Sequence, residues 1–247
     1  EGQYVASIGM TGYESLADAI AAAEDDDTIT LLKDIYENVT IEAGQQITLD
    51  LKGKTLNGGT GTAVATITNH GTLTINDSVG GGRVMRNDSG IVGETSYYVI
   101  DNCGGTLTIE SGSIYNNSGY KKTNPSGSMV GSSLIRNGGS DDMSYLYIKG
   151  GSITQKNFIA VKNDPNGILT VTGGEISSNH SAVQNWFKAT ITGGKITGQL
   201  WTDSYVEGES VGETTIGGNA EFNGEIVIDI TGNIATALRI TGGTLNI

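Results

Sequence analysis

Apolar and polar residues alternate along this chain in runs of only a few residues, and glycines separate the runs. Gly167 to Asn185 shows the unit. Leu169 and Val171 flank Thr170, so branched side chains face one way and the hydroxyl the other. Gly173 and Gly174 supply a tight bend, because glycine takes positive φ at little cost. Ile176 opens a second short strand, and Ala182 and Val183 belong to a third that ends at Asn185. The pattern predicts three strands and two turns, none long enough to fold without neighbours.

The unit recurs. Leu73–Ile75, Leu107–Ile109, Leu146–Ile148, Ala189–Ile191, Thr214–Ile216 and Leu238–Ile240 match the first strand, and Leu49–Leu51 reads as an earlier copy. Their third residues, 51, 75, 109, 148, 171, 191, 216 and 240, are spaced by 24, 34, 39, 23, 20, 25 and 24. The second strand recurs at Leu56, Val84, Ile114, Ile153, Ile176, Ile196, Phe222 and Leu245. The third strand ends five times in asparagine, at Asn69, Asn102, Asn137, Asn163 and Asn185. That column predicts a ladder of stacked amides at a turn, where asparagine also tolerates the left-handed conformation.

Repeats of this length that touch only their neighbours make a solenoid. Short strands of period 2 make it an all-β, right-handed parallel β-helix. Ser15 can cap a short helix whose Leu16, Ala19, Ile20 and Ala23 share one face, which suits a lid over the open first rung. One domain is expected over 1–247, with strand and capping helix in 1–27 and rungs in 28–247. Nothing after Leu245 reads as a polar cap, so the chain is expected to be a fragment of a longer protein.

The helix Ser15–Ala23 with Asp27–Leu31, then Ile47–Leu56, then the Gly-Gly-x-Ile repeats, carry a resemblance to the right-handed parallel β-helix (pectate-lyase-like) superfamily. The chain is most similar to extracellular surface proteins of Gram-positive gut bacteria. The resemblance covers most of the chain and implies secretion or cell-wall attachment. It does not imply one activity, because the fold hosts lyases, hydrolases, adhesins and structural spikes.

Composition narrows the partners. Glycine is 38 of 247 residues and proline only 2, which suits regular turns better than a disordered linker. A net charge of −13 disfavours nucleic acid and anionic membranes. No stretch reaches the ~18 apolar residues of a membrane-spanning helix. Cys103 is the single cysteine, so no internal disulfide forms. A monomer is expected.

Candidate chemistry falls into three groups. Asp101, Arg136 and Lys162 precede ladder asparagines on successive rungs, about 4.8 Å apart if outward-facing. In polysaccharide lyases of this fold, carboxylates bind Ca²⁺ and an Arg or Lys abstracts a proton. The family's catalytic residues do not map onto this chain, and a plain cross-rung ion-pair column is the favoured reading of the three. Asp141 and Asp142 could approach Asp101 at the ~5–9.5 Å of a glycosidase pair. Glu24 to Asp27 lacks a calcium-loop spacing and reads as a solvated turn, so no cofactor is expected beyond an optional Ca²⁺.

The second group is aromatic: Tyr97, Tyr98, Tyr115, Tyr120, Tyr145 and Tyr147 beside the long steps, with Trp186, Phe187, Trp201 and Tyr205 further on. Aromatic faces stack on sugars, and Tyr115, Tyr120, Tyr147, Trp186 and Trp201, with Asp141 and Asp142, are the expected ligand contacts. Insertions at 88–96, 120–132 and 138–144 are expected to rim one groove. The third group is an outward threonine column, Thr74, Thr108, Thr170, Thr190 and Thr215, which reads as ordinary strand formers on a wet sheet rather than an ice-binding array. The balance favours a non-catalytic module for adhesion or carbohydrate binding, with a polysaccharide, a host glycan or a protein as partner. A polysaccharide lyase or glycoside hydrolase is the alternative.

Overall fold

The computed structural model describes residues 2–58, 64–86, 98–116, 133–155, 159–204, 211–229 and 236–247. Parallel strands stack along one axis as three sheets, each formed by one strand per rung. The first sheet runs from Asp27–Leu31 through Gln46–Asp50, Thr72–Asn76, Thr106–Ile109 and Ser144–Ile148 to Ala237–Ile240. The second begins at Ile35–Tyr36 and ends at Thr244–Asn246. The third begins at Val39–Ile41 and ends at Ile226–Ile228. This is an all-β solenoid of the parallel β-helix kind.

The expected three-strand unit is continuous in its best copies. Gly167–Asn185 and Lys188–Thr202 keep pairing through the corners, with register shifts between Val171 and Thr172 and between Ser177 and Ser181. Glycine makes these corners possible. Gly174 and Gly194 have φ of 78° and 79°, and a Cβ on either would lie 2.7 Å from a carbonyl oxygen of the rung below.

One copy is shifted from the expectation. Leu49 pairs with Ile75, so the earlier unit is Ile47–Leu49 and not Leu49–Leu51. The rung before it is Asp27–Ile29, since Ile29 pairs with Leu49. Apolar residues at both 49 and 51 satisfy a period of 2 in either register, and only the cross-rung pairing separates the two.

Inward columns fill the core. Leu73, Leu107, Leu146 and Leu169 stack on the first sheet, Leu56, Val84, Ile114, Ile153 and Ile176 on the second, and Ile67, Ile100, Ile135, Val161 and Val183 on the third, all buried. Each such side chain contributes about 1.5–3 kcal/mol by leaving water.

At the corner between third and first sheets the asparagines form the ladder. Each Nδ2 donates to the next Oδ1: Asn69 to Asn102 at 2.8 Å, Asn102 to Asn137 at 2.7 Å, and Asn137 to Asn163 and Asn163 to Asn185 at 2.8 Å. Each also donates to turn carbonyls, as Asn102 does to Gly105 and Tyr145. The run ends where Asn185 donates to Thr214 Oγ1, which also bonds Thr202 Oγ1. None of the five has positive φ, so the left-handed role expected of them is not used; they are strand residues with inward amides.

The N-terminal end is covered. Ala6–Ile8 pairs antiparallel with Leu31 to Ile29 and with Thr11–Tyr13. Helix Leu16–Ala22 buries Leu16, Ala19 and Ile20 as expected, and Ser15 Oγ accepts the Asp18 N–H. Glu37 of the first rung accepts the N–H groups of Leu16 and Ala17 at 2.8 and 3.1 Å, tying the lid to the rung it covers.

Asn137→Ala removes an acceptor for Asn102 and a donor for Asn163 in a dry corner. A loss of about 2–4 kcal/mol is expected, from two buried groups at about 1–3 kcal/mol each with partial compensation. Denaturant unfolding measures it, and a loss within 0.5 kcal/mol, the range of ordinary surface changes, would show that the ladder is passive.

Candidate functional site

The outward column of the third sheet is Thr40, Thr68, Asp101, Arg136, Lys162, Gln184, Trp201 and Val227. The structure therefore brings Asp101, Arg136 and Lys162 together on successive rungs, as the sequence suggests. They do not pair as expected. Arg136 Nε donates to Asp164 Oδ2 at 2.8 Å, and Lys162 Nζ lies 3.3 Å from Asp164 Oδ1. Asp164, a corner residue just after the ladder, is the hub that sequence reasoning missed. The corner column, His70, Cys103, Gly138, Asp164 and Trp186, is too irregular to announce it.

Burial alone would make the Arg136 guanidinium easier to deprotonate. The Asp164 charge and hydrogen bond, with Tyr98 and Asp101 nearby, outweigh it and hold Arg136 protonated above its ordinary value. Tyr98, buried, also stacks beneath the guanidinium at 5.5 Å. Asp101 stands apart. Its Oδ1 is buried with no hydrogen-bond partner among the described residues. Burial raises its pKa and the Asp164 charge adds to this, whereas Arg136 and His70 act the other way without reversing it.

Asp77 shows the opposite balance. Partial burial would raise it, but N–H groups of Gly53, Gly82, Gly80 and Val79 lower its pKa, the first two at 2.7 Å.

Asp142 lies over the corner three residues beyond Asp101: a Cβ on Gly104 would sit 3.4 Å from its Cβ. Asp141 and Asp142 are both exposed. Among the described residues no three His, Cys, Asp or Glu side chains converge as metal ligands. Glu24 to Asp27 closes on itself, with Asp27 Oδ2 accepting the Glu24 N–H at 2.8 Å.

The described aromatic residues do not gather on one flank. Tyr115 is outward on the second sheet, aligned with Met85 and Thr154. Tyr147 is outward on the first, aligned with Thr108 and Thr170. Trp201 is on the third, its Nε1 donating to Gln199 at 2.9 Å, and Trp186 sits in the following corner. Tyr97, Tyr120 and Tyr205 lie outside the described residues, as do the expected insertions 88–96 and 120–132.

One pair of aromatic residues shares the outward face of a single strand among the described residues. Tyr145 and Tyr147, half-buried, point outward from strand Ser144–Ile148, two residues and so about 6.6 Å apart along it. Their neighbours on adjoining strands are Thr106, Thr108, Ile168 and Thr170. The corrected register lengthens the threonine column they interrupt: Thr28 aligns with Thr48, and Thr48 with Thr74.

No protein-family model matches the chain, and neither a curated protein nor a solved structure is detectably similar to it. The fold itself defines the class: a parallel β-solenoid with a covered N-terminal end, a closed ion-pair hub on one face and an aromatic pair on another.

The two carboxylates make opposite pH predictions. A pKa raised on folding means the folded state holds the proton more tightly, so the stability Asp101 contributes is present below about pH 3.9 and lost as pH rises through its folded pKa. Asp101→Asn should therefore raise the melting temperature at pH 7 and give no gain at pH 3. Asp77 contributes above its unfolded pKa and loses that contribution as pH falls, so Asp77→Asn should lower the melting temperature at pH 7, with the difference shrinking in acid. Thermal melts across pH 3–8 check both signs.

Proposed function

We propose that this chain is a non-catalytic glycan-binding module of an extracellular surface protein, a member of the pectate-lyase-like β-helix superfamily used for adhesion. The observation that carries this reading is the tyrosine pair on the first sheet. Tyr145 and Tyr147 point outward, half-buried, from one strand, with Thr106, Thr108 and Thr170 aligned beside them. Rings supply the apolar surface that sugar C–H faces stack on, and hydroxyls supply both donors and acceptors. A strand between two paired strands holds such a site with little ordering cost on binding.

The catalytic alternative has one observation in its favour, the buried Asp101 carboxyl with its raised pKa, which suits a general acid. Its proposed partners weigh against it. A lyase base must be free to accept a proton, and the Arg136 guanidinium is held protonated beside Asp164.

Retention of a neutral polysaccharide in affinity electrophoresis, with no new reducing ends and no unsaturated product with or without Ca²⁺, is the expected result. Tyr145→Ala and Tyr147→Ala should each weaken retention about tenfold, or about 1.4 kcal/mol. Product formed by the wild type and lost in Asp101→Asn would sink the binding reading in favour of the enzyme.

A further inference from the structure

We infer that the first sheet binds a single neutral, unbranched polysaccharide chain lying along the solenoid axis, across the strands, a reading that rests on the glycan-binding proposal above and adds the class and direction of the ligand. The outward column of that sheet is continuous: Thr28, Thr48, Thr74, Thr108, Tyr147, Thr170, Thr190 and Thr215 each pair in register with the next. At about 4.8 Å per strand it extends for about 34 Å, far beyond one sugar residue. Every position is half-buried or exposed, so solvent reaches the column along the whole line.

Charge selects the ligand. No residue in the column is charged until Arg239, aligned with Thr215 at its end. The charges on this face lie to the sides: Asp50, two residues beyond Thr48 on its strand, Asp26 beside Gln46, the Lys149–Glu110 pair at 3.0 Å, and Lys188 and Glu213, which are aligned on adjacent rungs and opposite in sign. An anionic polymer would meet no compensating row of cations and would be repelled by a protein of net charge −13. A neutral chain of hydroxyls meets donors and acceptors at every rung, with the tyrosine pair as its stacking anchor near the middle.

The test uses mixed-linkage β-glucan, xylan and mannan as neutral probes, polygalacturonate as the anionic one, and tri- and octasaccharides of whichever neutral polymer is retained. Thr74→Glu and Thr190→Glu each lie two rungs from Tyr147, on opposite sides. Each should weaken retention of the neutral polymer at least tenfold, the octasaccharide should bind at least tenfold tighter than the trisaccharide, and polygalacturonate should not be retained. Thr74→Ala and Thr190→Ala, which keep an uncharged surface, should each weaken it about threefold if the glutamates impair folding. If Tyr147→Ala weakens binding while all four threonine variants bind as wild type and chain length has no effect, the axial inference fails and the local glycan site stands. Retention of polygalacturonate in preference to the neutral polymers overturns the inference as well. If the wild type retains none of the probes, both readings fail together.

Discussion

The structure depends on a buried amide finding its partner one rung away. A three-residue strand cannot hold itself, so every rung takes its order from its neighbours. Parallel pairing alone would allow a rung to slip, because the inward side chains are interchangeable Leu, Ile and Val. The ladder forbids that. Asn102 has its Oδ1 filled by Asn69 and its Nδ2 given to Asn137, Gly105 and Tyr145. Slip one strand and buried donors and acceptors lose partners at about 1–3 kcal/mol each. The amides therefore specify register where the apolar columns supply only cohesion. At the last step the hydroxyls of Thr202 and Thr214 replace the next amide, so the run ends satisfied.

The repeat and its phase were legible because they rest on side chains that must be inside. Leu56, Val84, Ile114 and their successors fall in one column, as the spacing predicts. Where two registers bury equally well, as at residues 47 to 51, alternation gave the wrong copy, and the error hid Thr28 and Thr48 from the threonine column. Tyr115, Tyr147 and Trp201 were scattered for a related reason. Proximity in sequence to an insertion says nothing about which of three sheets a residue belongs to, and only its place within the rung decides that.

The acid and base column looked like chemistry because its members are neighbours in the repeat. The corner residue that claims its two bases, Asp164, stands outside the repeated strands, where each rung differs. Corners are where a solenoid varies freely, so they hold the residues that alignment of repeats cannot foresee.

That difference between strand and corner also explains why the carboxylates of this protein behave so differently. Within a strand every N–H is spent on the next rung, so an outward carboxylate finds no backbone donor and must find a side chain. Asp101 is such a residue; Arg136 beside it is already engaged by Asp164, and its buried Oδ1 has no partner among the described residues. In a corner the chain turns on glycine, and N–H groups left over by the turn point together. Asp77 collects four of them, and Asp50, at the strand end, accepts those of Lys52 and Ser78 at 3.0 and 2.9 Å. Asp77 and Asp101 thus differ by position: backbone N–H groups at a corner lower the pKa of the first, and burial on a strand raises that of the second. A central column of threonine and tyrosine, with its charges set at the sides, is the arrangement on which the glycan-binding proposal rests.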